Sequence, residues 1–314
     1  MTGFLNAVSA CAVLLMMMAV GYFMGARGWM TAREKKFVSL FIINIAVPCN
    51  CLVGLLENLD RSGLAQAGVQ LVSGLAGVAV TLLVSMAAAW LLRLPRERWG
   101  VFVAMAGLSN TIFIGIPVCT QLFGEACMPH LMVYYLANTS FLQSAGILLV
   151  EGSGVRRERQ GGLLEFLKNM FQKPPILGVI LAVTLLVLDL EPPGPVMRFA
   201  SYISGSVTPL ALIYCGFIVY EVGLKNLRLL PGLPAMLAIR LVLAPVICWG
   251  SCVLFGVTGL ARDVFIVESA LPVVSQVTVM AGAYGADEQY AASGACLSIL
   301  VSFVTIPVLM LLIG

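Results

Sequence analysis

Prolines set among amides and hydroxyls, in stretches that are otherwise apolar, are the residues of this sequence best suited to chemistry. Pro48, Pro117, Pro209, Pro245 and Pro272 each lie well inside such a stretch. Proline lacks an N–H and frees a backbone carbonyl, which hydrocarbon cannot satisfy unless protein or a water-filled cavity does so. Two surroundings are especially polar, Asn44-Ile-Ala-Val-Pro48-Cys-Asn50 and Gly107-Leu-Ser-Asn110-Thr111-Ile-Phe113-Ile-Gly115-Ile-Pro117, and a later stretch offers Glu268-Ser-Ala-Leu-Pro272-Val-Val-Ser275-Gln276. They read as interrupted helices. The exposed N-terminus of an interrupted helix carries partial positive charge and free amides, a combination that suits an anion such as a carboxylate.

Two ionisable residues, Arg240 and Glu268, also fall inside apolar stretches, where charge is costly enough to signal function or a partner. Arg240 lies about 18 Å along a helix from Arg228, and Glu268 about 9 Å from Arg262, so an ion pair between them is one expectation. The others are that Arg240 meets a second carboxylate of a substrate, or that Glu268 titrates in proton coupling. Asn138, Ser140 and Gln143 could face the same cavity, although interhelical hydrogen bonding explains them as well. Nine cysteines and one histidine, His130, show no metal-ligand spacing, so no metal or cofactor is expected and the cysteines read as small buried hydrophobes. No Walker-type loop and no catalytic Ser/His, His/Glu or paired-Asp constellation is present, which argues against a nucleotide-driven pump or an enzyme.

The elements that must position these residues are membrane spans. Hydrophobic residues make up 60% of the chain and charged residues 11%, far from the makeup of a soluble domain. Hydropathy outlines ten segments near 4–25, 35–57, 67–92, 99–123, 128–150, 174–190, 196–221, 229–256, 262–284 and 288–313. The organisation expected is a first five-helix repeat over 1–150, a basic linker over 151–173 and a second five-helix repeat over 174–314. No charge precedes Arg27, so the first segment lacks the basic region of a signal peptide and reads as a retained span. With both termini outside, the loops on the cytoplasmic side hold Arg27, Arg33, Lys35, Lys36, Arg93, Arg96, Arg98, Arg156, Arg157, Arg159, Lys168, Lys173, Lys225 and Arg228. The linker therefore reads as a topology determinant facing the lipid bilayer, not as a nucleic-acid site.

Interrupted helices in corresponding places of two halves point to an inverted-repeat transporter, and an odd number of spans per half forces the inversion. Several motifs are similar to those of the auxin efflux carrier family, which includes bacterial malate and malonate carriers. They are Asn44-x-x-x-Pro48, Asn110-Thr-x-Phe-x-Gly115-x-Pro117 with Phe123-Gly124, Pro175-x-x-x-Gly178, Thr208-Pro209-Leu-Ala-Leu, Leu271-Pro272 and Ile306-Pro307. The resemblance covers essentially the full length. It implies an all-α polytopic membrane protein of ten transmembrane helices, in two inverted five-helix repeats, with helices 4 and 9 broken and crossing. The function implied is a secondary transporter of small organic anions working by alternating access. In the expected site Asn110, Thr111, Gly115 and the backbone near Pro117 and Pro272 hold the substrate carboxylate, while Asn44, Pro48, Asn50, Ser275 and Gln276 line the cavity. Proton or sodium coupling is open, and the alternatives are a sodium-coupled carrier, a cation/proton antiporter or a non-transporting sensor. The resemblance suggests a homodimer, and Gly21-x-x-x-Gly25 permits close packing either within or between chains. A plant-type central loop and a targeting peptide are both missing, which points to a bacterial inner membrane.

Overall fold

The computed structural model describes residues 2–58, 61–155, 171–223, 227 and 229–313. Arg156, Arg157, Arg159 and Lys168 of the expected linker, and Lys225 and Arg228, lie outside the described residues. The described chain is helical throughout apart from one isolated β-bridge. In order, its helices are α1 (Thr2–Ala26), α2 (Ala32–Asn58), α3 (Arg61–Leu91), α4 (Arg96–Gly107), α5 (Thr111–Phe123), α6 (Glu125–Ser153), α7 (Pro174–Leu188), α8 (Gly194–Ser204), α9 (Val207–Val222), α10 (Leu233–Phe255), α11 (Gly259–Ser269), α12 (Gln276–Tyr284) and α13 (Glu288–Ile313). Six helical stretches among the described residues are long and apolar enough to cross a membrane: α2, α3 from Gln66, α6, α8 with α9, α10 and α13. Exposed apolar side chains such as Trp90, Leu254 and Leu312 cover surfaces that water would not tolerate. The molecule is a helical, multi-pass membrane protein.

The prolines shape the helices in two ways. Pro48, Pro117 and Pro245 each come two residues after a π turn, at Ile42–Ala46, Thr111–Gly115 and Ile239–Leu243. Widening the preceding turn relieves the clash between the pyrrolidine ring and the carbonyl four residues back while keeping the helix continuous. The expected interruption at Asn44–Asn50 is therefore a widened turn inside an unbroken α2. Gly205-Ser206, just ahead of Pro209, is a distorted turn between α8 and α9 that keeps right-handed dihedrals, and complete breaks occur between α4 and α5 and between α11 and α12 around Pro272.

The element order repeats. A single helix (α1, α7) is followed by a helix bent or broken near a proline (α2; α8 with α9) and then by a long one (α3, α10). A helix broken at its centre comes next (α4 and α5; α11 and α12), and a long helix ends each half (α6, α13). Helices far apart in sequence pack together: α1 lies on α9, α7 lies on α2, and α3 lies on α10. Glycine allows the first two approaches. A Cβ on Gly21 or Gly216 would stand 1.9 Å from the carbonyl oxygen of Ile213 or Met18, and one on Gly178 would stand 2.8 Å from Cα of Pro48. Gly21 and Gly25 thus face α9 of the same chain. At the α3–α10 contact the Ser251 hydroxyl donates to the carbonyl of Ser73 at 2.7 Å.

Candidate functional site

The two central breaks meet. After α4 ends at Gly107 and α11 at Ser269, the chain runs extended, and Ser109 and Val273 pair as an antiparallel bridge. The amide of Asn110 donates to the carbonyl of Pro272 at 2.9 Å, and the amide of Val274 donates to the carbonyl of Leu108 at 3.3 Å. Proline at 272 suits this position because its carbonyl is needed as an acceptor while its missing N–H costs nothing. The crossing lies at the seam of two apolar cores: Ile114 and Leu271 belong to one, Leu108 and Val273 to the other.

Unwinding leaves helix-end groups without their usual partners, and side chains from neighbouring helices take over. In an unbroken helix the carbonyl of Ala106 would receive the amide of Asn110, and that of Ser269 the amide of Val273. Those amides go instead to Pro272 and to the Ser298 hydroxyl, the latter at 3.0 Å. Arg240 fills both vacancies: its guanidinium, 1% exposed, donates to Ala106 O at 3.4 Å and to Ser269 O. One buried cation therefore caps the negative C-terminal ends of α4 and α11 together. Arg240 makes no ion pair with Glu268, so the charge-pair expectation gives way to this double cap. Asn138 of α6 performs a matching service on the other strand of the bridge. Its Oδ1 accepts from the Ser109 amide at 3.1 Å, and its Nδ2 donates to the Ser109 carbonyl at 3.0 Å.

On the opposite side of the crossing, the first turns of α5 and α12 open on a cavity of about 320 Å³. Asn110, Thr111, Ser275 and Gln276 line it, together with Ser109, Asn138, Thr139 and Gln143. Asn110 also caps α5, accepting from the Phe113 amide at 3.2 Å, and its Nδ2 reaches Ser275 Oγ at 3.3 Å. Gln143 Nε2 lies 3.4 Å from Gln276 Oε1 across the cavity, and Ser140 turns back to the carbonyl of Leu136. The other sequence-predicted residues stand elsewhere. Asn44 is exposed and donates to the Leu40 carbonyl at 2.7 Å, while Asn50 donates to Ser204 Oγ at 2.7 Å. Pro48 packs on Gly178, Pro272 contributes its carbonyl to the crossing, and Gly115 and Pro117 lie deeper along α5 than the cavity lining.

Two features of the cavity were not legible as site residues in the sequence. Lys173, read there as one more basic linker residue, caps the N-terminus of α7 through its carbonyl and lines the cavity. Among the described lining residues it alone carries charge, and burial pushes its ammonium down to about 8. The second feature is an aromatic wall: Phe113 of α5 and Tyr214 of α9 stack with ring centroids 4.7 Å apart. The Phe113 side of that wall was visible in the motif, but Tyr214 gave no signal. The lining thus offers hydroxyl, amide and ammonium donors beside a stacking surface. Among the described residues no cluster of His, Cys, Asp or Glu could hold a metal ion.

The family model described as "Membrane transport protein" matches residues 6–310. An uncharacterized transporter of Methanocaldococcus jannaschii is 24% identical over 285 residues, covering 90% of both chains. A second uncharacterized transporter, from Methanothermobacter thermautotrophicus, is 24% identical over 311 residues and 97% of both chains. A protein of Rhizobium meliloti named, provisionally, as a malonate transporter is 25% identical over 211 residues, or 65% of this chain and 64% of its own.

Proposed function

Because this chain belongs to the membrane transport protein family, the auxin efflux carriers, we propose that it carries small organic anions across the membrane by alternating access at the crossing of its two broken helices. The observation that carries this reading is the convergence of the α5 and α12 N-termini, with Asn110, Thr111, Ser275 and Gln276, on a cavity whose charged lining residue is Lys173. Helix N-termini and an ammonium both favour a carboxylate, and they oppose a sodium ion or other cation as cargo. One carboxylate sits at the crossing on the first-turn amides and the Ser275 hydroxyl. The body of the substrate lies against Phe113 and Tyr214, and a dicarboxylate places its second group toward Lys173.

The scaffold is ten transmembrane helices in two inverted five-helix repeats, spanning 1–150 and 174–314, with α4–α5 and α11–α12 as the fourth and ninth. The repeating element order and the matched packing of α1 on α9 and α7 on α2 support it. Both termini lie outside a bacterial inner membrane. In support, Lys35 pairs with Glu221 and Arg98 with Asp287 at 2.7 Å, each joining helix ends that this topology puts on the cytoplasmic face. The cavity runs from the crossing toward that same face, where Ser39, Gln143 and Lys173 form its far walls. The conformation is therefore open inward.

Counterflow in proteoliposomes tests the proposal. Vesicles loaded with unlabelled malonate should accumulate external labelled malonate or a related mono- or dicarboxylate transiently, and Asn110→Ala should abolish it. Equal uptake by protein-free vesicles, for every carboxylate tried, would refute it.

A further inference from the structure

Glu268 is a buried carboxyl that the carrier reading leaves without a task. It is 0% exposed, its Oε1 accepts from the Cys119 thiol at 3.3 Å, and its Oε2 has no hydrogen-bond partner among the described residues. No lysine or arginine among the described residues forms an ion pair with it. Among the described residues, the ionisable groups around it are Cys119 of α5, Cys127 and Tyr134 of α6, and Arg240 of α10. Arg240 is close enough to attract it electrostatically but makes no ion pair with it, and the Arg240 N–H groups go instead to the carbonyls of Ala106 and Ser269. An ionised carboxylate in this setting would be taken out of water with one oxygen bare, which strongly favours the neutral acid. A sodium ion would need five or six oxygen ligands where the neighbours are thiols.

Position adds a second argument. Along α6, the residues near Glu268 are Cys127 and Tyr134, whereas those lining the cavity are Tyr135, Asn138, Thr139, Leu142 and Gln143. Glu268 thus lies on the side of the crossing away from the open cavity, sealed under the closed face. The first turn of α5 separates the two, and it touches both: a Cβ on Gly115 would stand 2.5 Å from Glu268 Oε1. α11 carries Glu268 and ends at the crossing, so the carboxyl is bound to move with the element that must rearrange when the other face opens.

We infer that Glu268 is a proton-binding site coupled to the transport cycle: the carboxylate takes a proton from water to become a neutral carboxylic acid when its face seals, and returns that proton to water when the face opens. No electron moves, and the O–H bond formed in one half of the cycle is broken in the other. The inference rests on the carrier reading for its second half only.

Two measurements on the full-length protein test it. Infrared difference spectra of wild type minus Glu268→Gln at neutral pH should contain a carboxylic-acid C=O band. A difference containing only ionised-carboxylate bands overturns the inference, whatever the substrate proves to be. If Glu268→Gln fails to fold, Cys119→Ala, which removes the donor to Oε1, must shift the wild-type band, and an unmoved band overturns the assignment equally. In proteoliposomes, a gradient of one pH unit should change net malonate uptake by wild type several-fold, up to the tenfold that one coupled proton supplies. Glu268→Gln should still exchange labelled for unlabelled malonate yet show a gradient effect of about 1-fold. A retained gradient response in Glu268→Gln refutes coupling, whereas absence of malonate exchange by wild type counts against the carrier reading for that anion and leaves the infrared result to decide the proton site.

Discussion

Replacing Arg240 with methionine removes a side chain that joins the two half-helices ahead of the crossing. The guanidinium meets two buried carbonyls, of Ala106 and Ser269, whose usual helical donors have been diverted to Pro272 and Ser298. Each hydrogen bond from a charged group contributes about 1.5–3 kcal/mol, so the gross loss is roughly 3–6 kcal/mol. Part of this is offset because methionine no longer buries a cation, a penalty of several kcal/mol. What remains is set by two orphaned carbonyls, at about 1–3 kcal/mol each, giving a net destabilisation of about 3 kcal/mol. At roughly 2–4 °C per kcal/mol, the melting temperature should fall by about 6–12 °C. Arg240→Lys should fall by about half as much, because one ammonium keeps the charge near the helix ends but does not fork between two carbonyls. The melt is followed by far-ultraviolet circular dichroism on purified protein. An Arg240→Met protein within about 2 °C of wild type would refute the double-cap account.

Asn138→Leu leaves both the amide and the carbonyl of Ser109 unpaired, so it should cost about 2–4 kcal/mol in the same melt and weaken carboxylate binding, whereas Asn138→Asp retains one of the two bonds. Lys173→Gln should weaken carboxylate affinity about 10–100-fold at pH 7, the worth of one charge-assisted hydrogen bond, as read by isothermal titration calorimetry. The wild-type ammonium titrates at about 8, so wild-type affinity should hold below that pH and fall as pH rises through it. Lys173→Arg should stay flat over the same range. Gly216→Ala, which drives a methyl group into the Met18 carbonyl, should cost about 1–3 kcal/mol by overpacking. Gly250→Ala, with nothing within 4 Å, should be neutral or stabilising by up to about 1 kcal/mol through helix propensity.

Much of the crossing was legible because proline leaves a periodic sequence no choice. Pro272 and the Gly107–Asn110 run lie in apolar surroundings where an unpaired backbone is too expensive, so a partner had to exist, and in the structure each broken segment is the other's partner. Asn44 and Asn50 carried the same signal, yet a π turn absorbs Pro48 without opening the helix, and composition does not distinguish the two outcomes. Glu268 and Arg240 were legible as costly residues, but not as unpaired with each other. Helix-end dipoles served as the counter-charge of Arg240, and these arise only once both helices end at the same place. Lys173 was hidden for a different reason. It belongs to a basic linker whose other members are explained by membrane topology, and its contact with the cavity depends on where α7 begins in space. The Gly21-x-x-x-Gly25 spacing forecast close packing correctly, and three-dimensional context assigned that packing to α9.

The most direct test of the central claim is thermal stabilisation of the purified protein by a panel of mono- and dicarboxylates, measured on wild type, Asn110→Ala and Lys173→Gln. A ligand at about 100 times its Kd should stabilise the folded state by about 2.7 kcal/mol. The account predicts such a shift for at least one acid, abolished by Asn110→Ala and reduced by Lys173→Gln. A carboxylate that stabilises wild type and both variants equally would place the anion site away from the crossing and contradict it.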